Sequence, residues 1–363
     1  MPRTSEIGVA LIGASGRVGR QVLALIAAHG AGSRLRLVAV AHSRTHRVAP
    51  GGLDPLAAAG HLEMSPNQVE SLVPALAGLP RPLVIVDCTA SADIAAQYPR
   101  WLGAGIDIVT PSKLASSGDR ALAEAIVAAR ARSGTLLRDS ASVGAQLPLL
   151  STLRELHQAG DRVERFDAVL SGTLSFVLGR LERGDTLSAA VRDAVALGYA
   201  EPHPASDLSG EDVTRKLVIL LRALGHDIEL ADVETVPLVA GARLLEADPQ
   251  RLLAGLESLD ELWRARVAVA QARRERWIYR ASFDGTHARV APERVPLDHP
   301  LAKLAPCENA LILHSHYYSA APLTIAGPGA GVELTAAAVF ADLLDVAHRH
   351  VAAPLPELAA AAA

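Results

Sequence analysis

Gly198-Tyr-Ala-Glu-Pro-His-Pro-Ala-Ser-Asp-Leu-Ser-Gly-Glu-Asp-Val-Thr-Arg-Lys216 brings Glu201, Asp207, Asp212 and Lys216 into one short stretch. Asp212 and Lys216 are four apart, so on a helix both project from one face. A surface ion pair, with Asp207 or Ser209 capping the helix that follows, has the same spacing. Glu201 and Asp207 add a second possibility, convergence on the same lysine across a loop that Pro202 and Pro204 hold extended. Carboxylates suit a substrate ammonium group, and a lysine beside them suits proton transfer. Lysine is also scarce: of 35 basic residues only Lys113, Lys216 and Lys303 are lysines. Arginine does not release its proton at working pH, so a lysine kept in an arginine-rich chain points to a titrating role.

Glycine marks a second region. Gly13-Ala-Ser-Gly-Arg-Val-Gly19 follows the apolar run Ile7–Ile12 and opens a helical pattern from Val18 to Ala28. Glycines let the backbone approach a pyrophosphate, and the helix N-terminus favours its charge. Gly13, Ser15, Gly16, Arg17, Val18 and Gly19 are therefore cofactor candidates. The G-x-x-G-x-x-G spacing is looser than the strict dinucleotide fingerprint and also fits a plain tight turn; the strand and helix around it favour a nucleotide. After the next strand, Leu35–Ala41, no acid is present to grip a ribose hydroxyl. Ser43 and Arg44 suit a 2′-phosphate instead, which favours NADP over NAD. Thr89 and Ser91 follow the strand Leu83–Val86, and Lys113 follows Ile106–Val109. Open α/β sheets place ligands at such carboxyl ends.

The elements that must position these groups alternate. Strands separated by Ala-rich helices such as Ala121–Ala131 predict an α/β fold, a Rossmann-like doubly wound parallel sheet over residues 1–140. From Val143 long helical patterns (Leu187–Leu197, Gly210–Leu224, Leu259–Arg274) mix with the strand-like runs Trp277–Phe283 and Ala310–Ser315. They predict an α+β domain over residues 141–330. A turn, Gly327-Pro-Gly-Ala-Gly331, then leads to an amphipathic helix within 331–352 and an Ala-rich tail, 353–363.

Composition narrows the function classes. The 363 residues suffice for two cores, and a net charge of −4 gives neither a nucleic-acid footprint nor a polybasic membrane surface. The most apolar stretch, Leu217–Leu224, contains Arg222 and is too short to span a bilayer. With a strand-like run beginning by Ile7 rather than a signal peptide, a cytoplasmic location is expected. Cys88 and Cys307 build no disulfide framework. Cys88 falls at a buried strand end and Cys307 has no activating context, which argues against the thiol nucleophile of a phosphorylating semialdehyde dehydrogenase. His314 and His316 alternate on a strand without a third ligand nearby, so a structural or interface role is expected. Trp101, Trp263 and Trp277 read as packing residues.

VDCTAS, VTPSK, SVGAQLPLL, SGTLSF, GYAEPHPASDLSGEDVTRK, ENALILHSHYY and GPGAGVELTAAAVFADLL follow in the order seen in homoserine dehydrogenases, and the chain resembles that family. It most resembles the dehydrogenase half of bifunctional aspartokinase–homoserine dehydrogenases. The resemblance implies an NAD(P)-dependent oxidoreductase acting on a CH–OH group. Its reaction would interconvert L-homoserine and L-aspartate 4-semialdehyde in threonine, methionine and isoleucine biosynthesis. Lys216 matches the general acid/base, and Lys113 the lysine between nicotinamide and substrate. Glu201 and Asp212, with Asp207 and Tyr199 nearby, match the groups that bind the amino alcohol. Gly172 and Thr173 match the substrate-carboxylate loop, and Thr89 and Gly331 match positions near the cofactor. The resemblance further implies a homodimer with its dimerisation and catalytic regions in 141–330, and a C-terminal helix returning to the nucleotide domain. It also implies a monovalent cation such as Na+ on the backbone carbonyls of Val143, Ala145 and Leu147.

The sequence departs from the family pattern at several points. Ser112 replaces an asparagine before Lys113, Ser140 an acidic residue (Asp139 is adjacent), and Gln146 a glycine. His203, Ala205 and Ser206 stand where charged residues are common, and the glycine turn is one residue longer. These changes leave an alternative, a non-catalytic or altered-substrate NADP-binding homologue with a regulatory role. Retention of Lys113, Glu201, Asp212 and Lys216 speaks for the enzyme. To take a hydroxyl proton Lys216 must be a neutral amine, a state that burial or a cation such as Lys113 favours and carboxylates oppose.

Overall fold

The computed structural model describes residues 6–43, 45–58, 69–200, 203–239 and 241–351. Arg44, Glu201, Pro202 and the tail 353–363 lie outside the described residues. The chain forms two units. One holds the described residues up to Ala115, then Ala121–Ala141 and the chain from Val332; the other holds Ser116–Arg120 and Ser142–Gly331.

The first unit is built on β1 (Ile7–Ile12), β2 (Leu35–Ala41), β3 (His46–Val48), β4 (Leu83–Asp87), β5 (Asp107–Val109) and β6 (Leu137–Arg138). Their order is β3-β2-β1-β4-β5-β6, parallel throughout except for β3, which returns against β2 as a short hairpin. Successive β1 side chains enter opposite cores. Val9 and Leu11 pack with Val22 and Ile26 of the Arg17–Ser33 helix and with Val339 and Leu343 of the C-terminal helix. Ala10 and Ile12 face Ile85, Leu72, Leu76, Tyr98 and Trp101. Burial on both faces is why this strand reads as an unbroken apolar run. The C-terminal helix, Val332–Val351, is also tied by polar contacts: Arg138 to Asp345 (2.7 Å), Arg349 to the Gly134 carbonyl (3.0 Å) and His350 to Asp107.

The second unit carries β7 (Val163–Val169), β8 (Val233–Thr235), β9 (Glu275–Phe283), β10 (Ala288–Pro296), β11 (Glu308–Ser315) and β12 (Leu323–Pro328), in the order β12-β11-β7-β9-β10-β8. All neighbours are antiparallel except β8 with β10. One face, with Phe166, Ala168, Tyr279, Ala281, Phe283, Leu311 and Leu313, joins the core shared with the helices Gly172–Glu182, Leu187–Ala196, Glu211–Ala223 and Asp260–Ala272. The other face carries a smaller core of Val169, Ile278, Val295, Ala310 and Ile312 beside charges, with Arg280 bridging Asp167 and Glu293 (2.7 Å to the latter). The run from Gly327 is not a turn throughout, as the sequence suggests. Gly327 and Pro328 end β12, paired with Asn309 and Glu308, so the turn is confined to the residues that follow. His314 lies on β11, and among the described residues no group of three or more His, Cys, Asp or Glu is placed to hold a metal. No described helix is long and apolar enough to cross a membrane.

Candidate active site

In the second unit the site starts from the helix that carries Lys216. Gly210 ends the short helix Ala205–Ser209 and begins Glu211–Ala223, with φ +79°. A Cβ there would lie 1.9 Å from the Tyr279 Oη, so both backbone conformation and space require glycine. The expectation that Asp207 or Ser209 caps the Lys216 helix is thereby corrected. Gly210 is the cap, Asp207 lies inside the short helix, and the Ser209 Oγ merely accepts the Glu211 N–H at 3.2 Å.

Asp212 sits in the first turn of its helix, where the helix dipole favours a carboxylate. Four residues on, the Lys216 Nζ donates to Asp212 Oδ2 at 2.8 Å and to the Leu170 carbonyl at 2.7 Å. Its side chain is 14% exposed, too little for bulk water to surround it. Leu170 follows β7, and Ser171 then caps the Gly172–Glu182 helix, its Oγ accepting the Leu174 N–H at 3.1 Å. The strand end therefore delivers the lysine's carbonyl partner together with Gly172 and Thr173. Thr173 Oγ1 donates to the Tyr199 carbonyl, and the Tyr199 ring lies 4.8 Å from that of Phe176. A Cβ on Gly172 would sit 3.7 Å from Cys307, whose thiol is pushed up by burial and partly held down by Tyr199. Gly172, Thr173, Tyr199, Asp212 and Lys216 thus form one connected set. The substituted His203 is anchored through Nε2 to the Glu246 carbonyl at 2.9 Å.

In the first unit the glycine turn occupies the point where the strand order reverses, between β1 and β4. Its glycines have different reasons. Gly13, at φ +85°, would place a Cβ 2.9 Å from the Cys88 backbone, and one on Gly19 would meet the Gly13 carbonyl at 2.2 Å. Gly16 is the N-cap and offers no side chain to the first turn, leaving the N–H groups there for an anion. The turn fits a dinucleotide pyrophosphate. Ser43 is exposed at the end of β2, and no acid lies between Ala41 and Ser43.

The loop after β4 is fixed by a buried acid. Asp87 accepts from Tyr98 Oη (2.7 Å) and from the Thr89 N–H (2.8 Å); burial pushes its carboxyl up, and these two donors oppose the shift. Ser91 caps the short helix Ala92–Ala95, so its side chain has a local structural task. Lys113 is half-buried in the loop after β5, and Ser112, in the asparagine position, accepts the Leu114 N–H at 3.4 Å.

The cation implied by resemblance finds a poorer set. Position 140 offers no carboxylate, and the Ser140 hydroxyl donates to Asp342 Oδ1 at 2.8 Å, with its N–H donating to Oδ2 at 3.0 Å. The Leu147 carbonyl already accepts the Leu149 N–H at 2.7 Å. The acid expected at position 140 is absent, and no chemistry is derived through the cation. Asp342 itself is pushed up to about 6 by burial, against the hydrogen bonds from Ser140.

Sequence reasoning missed Leu170, Asp87, Tyr98 and Asp342. Nothing in the sequence marks a backbone carbonyl such as that of Leu170. Asp87 and Asp342 did leave a signal, since each is an acid within an otherwise apolar strand or helix face.

A doubly wound sheet with a glycine turn at its switch point, joined in sequence to a unit holding a lysine–carboxylate site, defines the class of two-domain nicotinamide-dependent oxidoreductases. Two family models match: the homoserine dehydrogenase NAD-binding domain over residues 15–138 and homoserine dehydrogenase over residues 148–344. A homoserine dehydrogenase of Schizosaccharomyces pombe is 35% identical over 286 residues, 77% of this chain and 76% of that one. A bifunctional aspartokinase/homoserine dehydrogenase of Haemophilus influenzae is 38% identical over 261 residues, 72% of this chain and 32% of that one. The chain spans about a third of the length of such bifunctional relatives. Among solved structures, a Candida auris protein of unknown function superposes with a TM-score of 0.88 at 31% identity, covering 95% of this chain and 99% of that one. A hyperthermophilic archaeal homoserine dehydrogenase in complex with NADPH shares the fold, with a TM-score of 0.72 at 21% identity over 94% of this chain and 98% of that one. The chain belongs to the homoserine dehydrogenase family.

Proposed function

We propose that the chain interconverts L-homoserine and L-aspartate 4-semialdehyde, with NADP as the preferred nicotinamide cofactor. The observation that carries this reading is the Lys216 nitrogen, held at 2.7 Å by the Leu170 carbonyl and at 2.8 Å by Asp212. Two of the directions around that nitrogen are fixed, which leaves a defined one for a moving proton. When bound, the nicotinamide accepts or supplies the hydride. As hydride leaves the terminal carbon of homoserine, the Lys216 amine takes the hydroxyl proton and the C–O bond becomes the aldehyde. In the reverse direction the Lys216 ammonium returns that proton to the developing alkoxide, and Asp212 steadies its charge.

We assign Glu201, Asp207 and Asp212 to the substrate ammonium group and Gly172, Thr173 and Tyr199 to the rest of the amino alcohol. Lys113, after β5, is assigned as the second ammonium group of the reaction. Gly13, Ser15, Gly16, Arg17, Val18 and Gly19 would hold the pyrophosphate, Ser43 and Arg44 the 2′-phosphate, and Thr89, Ser91 and Gly331 the remainder of the cofactor. The lack of an acid at the end of β2 supports NADP. A homodimer working in the cytoplasm, as part of threonine, methionine and isoleucine biosynthesis, completes the proposal.

The test is cofactor oxidation with L-aspartate 4-semialdehyde, comparing NADPH with NADH. Turnover with both and a higher kcat/KM for NADPH is expected. Folded protein that turns over neither would instead be a nucleotide-binding homologue without this activity.

A further inference from the structure

We propose that Asp87, anchored by Tyr98, is a positioning residue that holds the Thr89 loop and the Lys113 loop in one geometry around the nicotinamide. The inference rests on the function proposed above and adds Asp87, Tyr98 and Thr110 to the residues that serve it.

Asp87, Tyr98 and Thr110 are each completely buried. From Asp87 a ladder of hydrogen bonds runs in two directions. Through its side chain, Oδ2 accepts from Tyr98 and Oδ1 from the Thr89 N–H, and the Thr89 Oγ1 in turn accepts the Ser91 N–H at 3.3 Å. Through its backbone, the Asp87 carbonyl accepts from Thr110 Oγ1 at 2.8 Å, and that same oxygen accepts the Ser112 N–H at 2.9 Å. Ser112 Oγ then accepts the Leu114 N–H. The N–H groups on both sides of Lys113 are therefore bound into a ladder that begins at the Tyr98 phenol.

Thr89 and Lys113 follow neighbouring parallel strands, β4 and β5. The neighbouring strands reach one residue into each loop, through the Cys88 N–H to the Ile12 carbonyl (2.9 Å) and the Thr110 N–H to the Arg138 carbonyl (2.8 Å), and the ladder continues from there. A buried carboxylate is a costly way to fill a core, since an apolar side chain of similar volume packs there without a desolvation penalty. What an apolar residue would not supply is two acceptors at a strand end, aimed at a loop N–H and at a phenol. Misplacement of reacting groups by about 1 Å costs a reaction on the order of 10²-fold in rate.

The experiment compares Tyr98→Phe, Thr110→Val and a packing control, Leu76→Val, in the full chain. Leu76 is buried in the same core and takes no part in the ladder. NADPH affinity is read by titration in the absence of substrate, kcat and the homoserine KM at saturating cofactor, and folding by thermal midpoint. Tyr98→Phe should weaken NADPH binding about fivefold and lower kcat about tenfold, with the homoserine KM within about twofold of the parent. Thr110→Val, which cuts the branch toward Lys113 and also removes a hydroxyl hydrogen-bonded to Tyr98 while leaving the Tyr98–Asp87–Thr89 branch in place, should lower kcat by a similar factor and weaken NADPH binding less than Tyr98→Phe does. Leu76→Val should lower the midpoint alone. If Tyr98→Phe does not fold, Thr110→Val decides. Unchanged kcat in the folded ladder variants, or a change confined to the thermal midpoint or to the homoserine KM, overturns the inference while the parent's activity upholds the proposed function. A parent protein that binds neither dinucleotide overturns both.

Discussion

At the glycine turn of the first unit, geometry comes from side chains that are missing; at Lys216 in the second, it comes from one side chain held at two points. Gly13 and Gly19 allow backbone to pass within contact of backbone, so the turn presents N–H groups whose positions follow from packing alone. Lys216 is a flexible four-carbon chain, fixed only because Asp212 and the Leu170 carbonyl arrive from its own helix and from the end of β7. The first arrangement suits a pyrophosphate, whose charge stays constant through the reaction. The second suits a group that must gain and lose a proton without moving.

The largest effect should come at Gly210, where the second unit borrows the device of the first. Gly210→Ala puts a Cβ against the Tyr279 phenol in a left-handed conformation, and a cost of about 3 kcal/mol or more is expected in denaturant unfolding. Tyr279→Phe moves the nearest atom to 2.9 Å, so the double variant should lose less than the sum of the two singles. Additive losses would mean that the phenol does not govern this turn. Next, Gly19→Ala collides with the Gly13 carbonyl and should raise the Kd for NADPH at least about tenfold, roughly 1.4 kcal/mol. Unchanged affinity would remove the turn from the cofactor site.

A third effect concerns Asp342. Its carboxyl is raised to about 6, above the unfolded value, so the folded state binds its proton more tightly. The stability this contributes is present in full below about pH 4 and is lost as pH rises through about 6. Asp342→Asn cannot lose a proton, and its amide can still meet both Ser140 groups because the hydroxyl can turn to accept. The variant's stability relative to the parent should therefore improve by about 2 kcal/mol between pH 4 and pH 7. A difference independent of pH would show that Asp342 does not titrate in this range.

Much of this was legible in the sequence, for reasons that differ by region. β1 announces itself because burial on both faces leaves no room for polar residues, and the i,i+4 spacing of Asp212 and Lys216 places them on one face by helical periodicity alone. β10 does not announce itself. It contains Pro292 and Pro296 together with Arg289, Glu293 and Arg294, because the ion pairs of Glu293 with Arg280 and Arg289 and of Arg294 with Glu275 interrupt its apolar residues. β12 was hidden by its glycine and proline, which an edge strand tolerates. The cap of the Lys216 helix was misplaced because cap preferences point to Asp and Ser, whereas here the approach of Tyr279, distant in sequence, decides for Gly210. The Leu170 carbonyl was beyond reach, since every residue has one.

The most direct test of the account is the turnover of Lys216→Arg with homoserine and NADP, measured beside its NADPH affinity. Arginine keeps the positive charge but does not exchange its proton at working pH. If Lys216 transfers the proton, kcat falls by about 10²–10⁴ while NADPH binds as in the parent. Turnover near that of the parent would contradict the account.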